Sequence, residues 1–475
     1  MSIYTIMTFR NTRRILAVWL LSLLSSTSLV WAQQPQRQEF SLQEAIQFAT
    51  SANINVQTSR LDAASAESRI KEVKSTTLPQ VSIGSLLTYN AIIQRFILPA
   101  GGFGAPSSTT AGSGTQPEDA AVTAIPFGVN FQGNVQATVN QLLFDASYKI
   151  GLKAAATLRE LSQKNVTASK INVAEQVAKA YYNVLVSEER IKLLDYNISR
   201  IDSLYKETQA LNKQGFVEKI DVDRLEVQSN NLKAERQNVQ NLIGLSYYLL
   251  KFQMGLGTND VVVLTDKIQD LNPDQLERSV AFTPEFDYSQ RVEFSVLQSQ
   301  ITLADLDYQS IAKQYFPRVV ASATYGHNNG RNNLGDFFTT TWFNSAAINL
   351  QIQVPVFDGF QKRYAAQQRK IALDKARLGS NLLKNSIDLQ IRQSQITIQN
   401  SLQTLRTQKR NLDLAQEILR VTRIKYKEGV GSNIEVLNAE SSSREAQTNY
   451  FASLLDFMLA KVDYDKATGK LYTGN

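Results

Sequence analysis

The chain has no cysteine and one histidine, His327. Without thiols there is no disulfide, no thiolate nucleophile and no Cys/His zinc site, and a Ser-His-Asp triad would have a single candidate base. That histidine stands at a strand end beside Asn328, Asn329 and Gly330, a turn-forming run, which reads as loop surface rather than as a metal ligand. No acidic cluster stands out from charge spread along helical segments, so carboxylate-only metal or glycosidase chemistry has no nominated residues. We expect no enzyme activity, no cofactor and no bound metal. Beyond residue 32 no stretch is apolar for 18 residues, so any membrane crossing there must be made by strands. Cations clustered and interleaved with aromatics are missing too, which argues against a nucleic-acid partner.

What is present begins with a leader. Arg10, Arg13 and Arg14 precede the apolar run from Ile15 to Leu24, and Val30, Trp31 and Ala32 supply the small-residue end of a secretory signal peptide, expected over residues 1–32. Its removal takes three arginines and no acid, so the formal net charge falls from +7 to +4. With 43% hydrophobic residues in 475, the remainder is no disordered tail and could hold two or three ordinary domains.

The chain repeats itself. Val177, Val184, Ile191, Ile198 and Tyr205 stand 214 residues before Ile391, Ile398, Leu405, Leu412 and Leu419, and Gly215 stands 214 before Gly429. Leu143, Phe144 and Asp145 precede Val356, Phe357 and Asp358 by 213 residues, and Leu78-Pro79 precedes Phe316-Pro317 by 238. Each half reads helix, strand, loop, strand, long helix, break, helix. We expect a first repeat over 33–256, with a long loop at 97–126 and a tip near 215. A connector follows over 257–285, then a second repeat over 286–470 with its tip near 429–433, and a tail at 471–475. Expected helices are 41–77, 145–212 and 218–255, then 286–315, 359–427 and 433–467. Asp145 and Asp358 each open a helical pattern, as N-caps do. A helix of some 68 residues is about 100 Å long, and the seven-residue spacing calls for side-by-side packing.

The strands alternate. Phe127, Val129, Phe131, Val135, Ala137 and Val139 interleave with Asn130, Gln132, Asn134, Gln136 and Thr138; Ile348, Leu350, Ile352, Val354 and Val356 interleave with Asn349, Gln351 and Gln353. Strand 319–327 alternates as well, and 81–96 only loosely. One sheet over a soluble core would alternate too, but in an exported chain an Asn/Gln/Thr face with aromatics toward the loop ends suits a barrel wall between lipid and water. Four strands cannot close a barrel, and lipid tolerates no open edge. Two copies would give eight strands and a filled interior; three would give twelve and an aqueous lumen, which the long helices favour.

The signal peptide, the duplicated layout, the two Phe-Asp turns, the Leu78-Pro79 and Phe316-Pro317 pairs and the Gly breaks together resemble the TolC-like outer membrane efflux proteins, over essentially the whole mature chain. The resemblance implies a mostly α-helical protein with a β-barrel portion. Each chain would be a tandem repeat of long α-hairpins plus four β-strands, a homotrimer making a 12-stranded outer-membrane β-barrel continued by a periplasmic α-helical barrel. An equatorial belt would draw on Val261–Leu264 and the stretch to Pro284. It implies an exit duct for small molecules or polypeptides in a tripartite efflux pump or type I secretion system of a Gram-negative bacterium. Its partners would be a periplasmic adaptor (membrane fusion) protein, an inner-membrane transporter of RND or ABC type, and outer-membrane lipid.

Gly215, Gly429 and Gly431 then mark hairpin tips, with Ser432 or Asn433 capping the returning helix. The family's acidic pore position falls on Glu435, and the next lumen-facing position, often a second acid, is Asn438. A family tyrosine that links hairpins falls on Tyr426, and the acid it reaches on Asp221; the family's basic residue is replaced by Gly431, with Arg224 a candidate substitute. Two readings of each stay open. Tyr426 also continues a heptad as core, Asp221 also suits a helix N-terminus, and Glu435 also suits a solvated face. The alternatives to a conduit are a soluble periplasmic coiled-coil structural or adaptor protein and a barrel-type hydrolase, the latter disfavoured by the missing triad.

Overall fold

A computed structural model describes residues 37–98, 123–268 and 286–472. The expected signal peptide, most of the 97–126 loop, residues 269–285 of the connector and the last three residues of the tail lie outside the described residues. The chain divides into two compact units. One gathers residues 54–175, 281–400 and 460–475, the other residues up to 53, 176–280 and 401–459.

The elements, in chain order, open with β1 (Arg37–Phe40), α1 (Leu42–Ala52), α2 (Ile54–Ser75) and β2 (Gln80–Tyr89). A hairpin of β3 (Arg95–Leu98) and β4 (Thr123–Pro126) follows, then β5 (Phe131–Asp145), α3 (Tyr148–Lys213), α4 (Lys219–Met254) and β6 (Val261–Leu264). The second half holds α5 (Val292–Lys313), β7 (Arg318–Arg331), α6 (Leu334–Thr339), β8 (Phe343–Gln353), α7 (Gln361–Lys427) and α8 (Asn433–Ala467).

The sheet is four-stranded, antiparallel, in the order β2-β5-β7-β8. Directly paired residues point to the same side, so the register sorts its faces. Val139 pairs with Val81 and Ala323, and Ala323 with Ile348; Ala321 pairs with Leu350 and Val319 with Ile352. This face is apolar and open: Ile348 is 89% exposed and Ile83 77%. The other face carries Gln132, Asn134, Gln136, Thr138, Asn349 and Gln351. The strand bounds differ from expectation for local reasons. β5 starts after Gly128, whose φ of 136° breaks the extended run, and continues to Asp145 through a bulge between Leu142 and Phe144. β8 stops at Gln353, short of Val356, because Pro355 has no N–H to give a ladder. The loose alternation of 81–96 ends at Tyr89, and Arg95 starts a separate hairpin.

The helix expected over 41–77 is two helices. Ser41 and Glu44 form a reciprocal capping box on α1, and Asn53, extended at ψ 134°, ends it. The side chain of Asn53 is buried and its Nδ2 donates to the Gln253 carbonyl (2.7 Å) near the end of α4. The second half repeats this. A 3₁₀ turn, Tyr288–Gln290, precedes Arg291, and the buried Arg291 donates from Nη1 to the Ala467 carbonyl (2.9 Å) at the end of α8. Arg291 also holds Glu293 (3.0 Å) and Gln390 (3.1 Å). Gly255 and Gly469 follow α4 and α8 in left-handed conformation (φ 77° and 72°). A Cβ on them would lie 2.8 Å from the Ala52 carbonyl oxygen and 2.7 Å from that of Gln290, so glycine is needed for space as well as for φ.

The belt residues Val261–Leu264 form β6, which pairs in parallel with β1. The buried Tyr181 clamps the pair, its hydroxyl 3.1 Å from the Phe40 carbonyl and 2.9 Å from Asp266, which also accepts from the Leu42 N–H (2.9 Å). Burial and the neighbouring carboxylate raise the Tyr181 hydroxyl far above its ordinary pKa.

The long helices start where the Phe-Asp turns stand. Asp145 Oδ1 accepts from the Ser147 N–H (2.8 Å) and hydroxyl (2.6 Å) just ahead of α3, and Asp358 Oδ2 accepts from Lys362 N (3.2 Å) and Nζ (2.9 Å) in the first turn of α7. Most of the seven-residue stripe is core: Val177, Val184, Ile391, Ile398, Leu405, Leu412 and Leu419 are buried, while Ile191, Ile198 and Tyr205 are half-buried against the core clusters. Fully burying each such side chain contributes roughly 1.5–3 kcal/mol, which lets helices with no strong amphipathic face hold together.

Candidate pore entrance at the hairpin tips

Both tips stop their first helix in the same way. Gly215 (φ 81°) sends its N–H to the Asn212 carbonyl (2.9 Å) and Phe216 sends its own to Leu211 (3.0 Å). Gly429 (φ 75°) and Val430 bond Tyr426 (3.1 Å) and Lys425 (3.0 Å) in the same pattern. This paired closure satisfies two of the last carbonyls and reverses the chain. The return differs. Ser432 caps α8, its Oγ accepting from the Glu435 N–H (3.3 Å), whereas Glu218 starts α4 with no side-chain cap. Asn433, the other candidate cap, is buried and donates to the Asp221 carbonyl (3.3 Å).

Glu435 and Asn438 are exposed on α8. Tyr426 packs on a core cluster of Leu204, Leu225 and Val436, and its buried hydroxyl has no hydrogen-bond partner among the described residues. Asp221 pairs instead with Arg224 one turn on (3.5 Å). The chain therefore brings Asp221 and Arg224 together and leaves Tyr426 outside that contact. Gly431, where the resemblance leads us to expect a base, has no room for a side chain. A Cβ there would lie 3.0 Å from the Tyr426 nitrogen and 3.1 Å from the Lys425 Cβ, so any side chain would press on the end of α7.

Sequence reasoning missed the polar seam just behind the tip. Asn433, Val436, Glu440, Ser443 and Gln447 recur on α8 at spacings of three and four, and all are buried. They meet α3: Gln447 accepts from Asn197 (2.9 Å), and Glu440 makes a short ion pair with Arg200, the two side chains only 4% and 11% exposed. Of nine buried side-chain polar atoms without a partner among the described residues, seven sit on this seam and its neighbours: on Asn197, Arg200, Thr208, Tyr426, Asn433, Glu440 and Ser443. Burial pushes the Glu440 carboxyl above its ordinary value, and the pull of Arg200 and then of Arg423 on α7 only partly offsets it. The signal was available. The apolar stripe resumes at the half-buried Tyr450 and the buried Leu454 and Met458, and the same three-four spacing runs back through polar residues to Asn433.

The sheet and the hairpins are those of a known class. Residues 289–470 match the profile of the family described as outer membrane efflux protein. Outer membrane protein TolC of Vibrio cholerae serotype O1 is 20% identical over 346 residues, covering 72% of this chain and 76% of that protein. Toluene efflux pump outer membrane protein TtgC of Pseudomonas putida is 22% identical over 325 residues, covering 65% of this chain and 62% of that protein. The crystal structure of the outer membrane protein VceC of Vibrio cholerae superposes with a TM-score of 0.64 at 14% identity, over 90% of this chain and 96% of that one. The chain resembles the TolC-like outer membrane efflux proteins and shares their fold, mostly helical with a β-barrel portion. The relatives are channel proteins rather than enzymes.

Proposed function

We propose that three copies of the chain form a passive exit duct. A barrel of twelve strands would open into a periplasmic helical tunnel that docks to a periplasmic adaptor and an inner-membrane RND or ABC transporter, exporting small molecules or polypeptides without a covalent step. One observation carries this reading. The sheet has one apolar and one Asn/Gln face, and among the described residues β2 and β8 are its unpaired edges. A strand edge is not tolerated in lipid, and closure by further copies removes it. Static light scattering of the detergent-solubilised protein, followed by planar-bilayer recording, tests it. Three chains per particle and a stable conductance are expected, and a water-soluble monomer that does not conduct would sink the reading.

At the tips the exposed Glu435 would contribute three carboxylates per trimer to the entrance, with Asn438 adding none. Glu435→Gln should then lower cation preference; unchanged selectivity would remove Glu435 from the pore. The same reading gives Arg200 and Glu440 the part of a restraint that keeps α8 against α3, and leaves the Tyr426 hydroxyl to bond a neighbouring copy.

A further inference from the structure

The connection between β7 and β8 is not an open loop. It carries α6, a helix of six residues, too short to persist on its own. What holds it is a notch in the sheet. Phe337 is 2% exposed, and a Cβ on Gly133 of β5 would lie 2.2 Å from its Cζ and 2.9 Å from Cη2 of Trp342. Only glycine leaves room for the two rings, which meet edge to face (5.2 Å between centroids, 64°). From below, Asn329, 4% exposed, donates from Nδ2 to the Phe337 carbonyl (2.7 Å) and the Thr340 hydroxyl (3.3 Å).

The register says which face this is. Gly133 pairs with Leu87 and Asn329, so Phe337 lies on the side to which Leu87 and Asn329 point. Two residues at a time along the strands, that side continues through Tyr325 with Ala346, Ala323 with Ile348, Ala321 with Leu350 and Val319 with Ile352. It is the apolar face, not the Asn/Gln face. From Tyr325 to Val319 this band runs about 20 Å at ~3.3 Å per residue, close to the ~25 Å of a barrel's lipid-facing belt. The helix stands at its outer margin, and beside the buried Phe337 it offers Phe338, 67% exposed, and Leu334, 46% exposed, with Tyr325 at 53% on the strand.

We infer that α6 is a membrane anchor outside the barrel wall, seated by Phe337 in the Gly133 notch and presenting Leu334, Phe338 and Trp342 to the acyl chains just below the outer-leaflet headgroups. The occupant of its apolar side is lipid, because that side is continuous with the lipid-facing band. Aromatic side chains favour this depth, where a ring meets hydrocarbon and a polar edge meets water. The inference rests on the apolar face being the lipid face, so its test separates the two.

Trp342 is a built-in probe, since the other tryptophans, Trp19 and Trp31, fall within the expected signal peptide. The full protein and its Trp342→Phe variant, whose difference spectrum isolates Trp342, are reconstituted into phosphatidylcholine vesicles with bromines placed high or low on the acyl chain. Loss of Trp342 emission is expected, greater with high bromines than with low ones. A second tryptophan, Leu350→Trp in the Trp342→Phe background, reports on the sheet face itself. Quenching of Leu350→Trp with Trp342 silent to bromine and quenched by aqueous iodide would overturn the anchor alone. Silence of both would overturn the lipid face and the anchor with it. Gly133→Val fills the notch and should abolish bromine quenching of Trp342; combined with Leu350→Trp and Trp342→Phe, the Leu350→Trp signal should persist and certify the barrel. Undiminished Trp342 quenching in Gly133→Val would overturn the seating.

Discussion

The two repeats are alike at one end of their hairpins and unlike at the other. Where each returning helix stops, they share a joint. Asn53 holds the Gln253 carbonyl and Arg291 the Ala467 carbonyl, and Gly255 and Gly469 lie flat on the chain just before them. Near the tips the likeness fails. Leu225, Leu232 and Val239 of α4 are buried apolar residues, and 214 positions on α8 carries Ala439, Ala446 and Ser453. Ser229 is bonded by Asp202, whereas the hydroxyl of the equivalent Ser443 has no partner among the described residues, Gln416 standing where an acid would serve it. The two halves share the joint that fixes a helix end, but near the tip α8 has small residues where α4 has large apolar ones, and its contact with α3 runs through polar groups. The first hairpin, α3 on α4, is built around Leu194, Ile201, Leu232, Val239 and Ile243 to stay closed. The second meets α3 through groups that water could satisfy as well as the protein does, so parting them costs less.

The sharpest way to break the comparison is at the joints. Arg291→Ala removes a buried cation and leaves both Glu293 and the Ala467 carbonyl without it, a loss of about 2–3 kcal/mol once the partly exposed Glu293 is discounted. Asn53→Ala removes the hydrogen bond to the Gln253 carbonyl, a loss of about 1–2 kcal/mol. Thermal unfolding in detergent should show the larger fall for Arg291→Ala; the reverse order would mean the joints are not equivalent.

At the seam, Glu440→Ala leaves Arg200 buried and unpaired and should raise single-channel conductance in bilayers. Arg200→Met combined with Glu440→Leu, which makes the seam apolar like that of the first hairpin, should return it to the parent level or below. A double variant as conductive as Glu440→Ala would show that the pair restrains nothing.

Gly429→Ala tests the tips on a smaller scale. No atom stands near its Cβ position, so the cost is the left-handed backbone alone, about 1 kcal/mol, and Gly215→Ala should match it. Gly431→Ala should cost more through its contact with Tyr426, read as the order of the three in denaturant midpoint. Equal effects would refute the packing account of Gly431.

The smallest effect is one of pH. The Glu440 carboxyl is raised above 4.5 in the packed seam, so that seam binds the proton more tightly than a parted one does. Its contribution to packing is full below the ordinary value and is lost as pH rises through the raised one. Acidification from neutral pH should therefore lower conductance, and Glu440→Gln should flatten that part of the profile. A rise on acidification that survives in Glu440→Gln would assign the titration elsewhere.

Periodicity made much of this fold legible. Alternation in β5 and β8 identified the sheet, and the stripe from Ile391 to Leu419 identified the long helices, because each signals burial through a fixed spacing. Chain-reversing glycines were visible at 215 and 429, and the pair at 255 and 469 lay at the same offset unnoticed. What escaped was contact between distant backbone segments. The pairing of β1 with β6 joins residues more than two hundred positions apart through main-chain bonds that leave little trace in side-chain pattern. The break at Asn53 hid inside a good helical pattern because its cause, the Gln253 carbonyl, is equally remote. At the candidate entrance the hidden element was the polar seam, since a reader seeking apolar heptads passes over Glu440 and Ser443.

The unpaired edges of β2 and β8 also bear on how such a chain reaches its membrane. A single copy would expose rows of unbonded N–H and C=O groups to hydrocarbon, each costing several kcal/mol. If copies close the barrel as proposed, insertion and association would be one event rather than two, with a rate that climbs steeply with the supply of chains. A copy with a spoiled edge would also do more harm than its own loss, because it strands the sound copies that have already joined it.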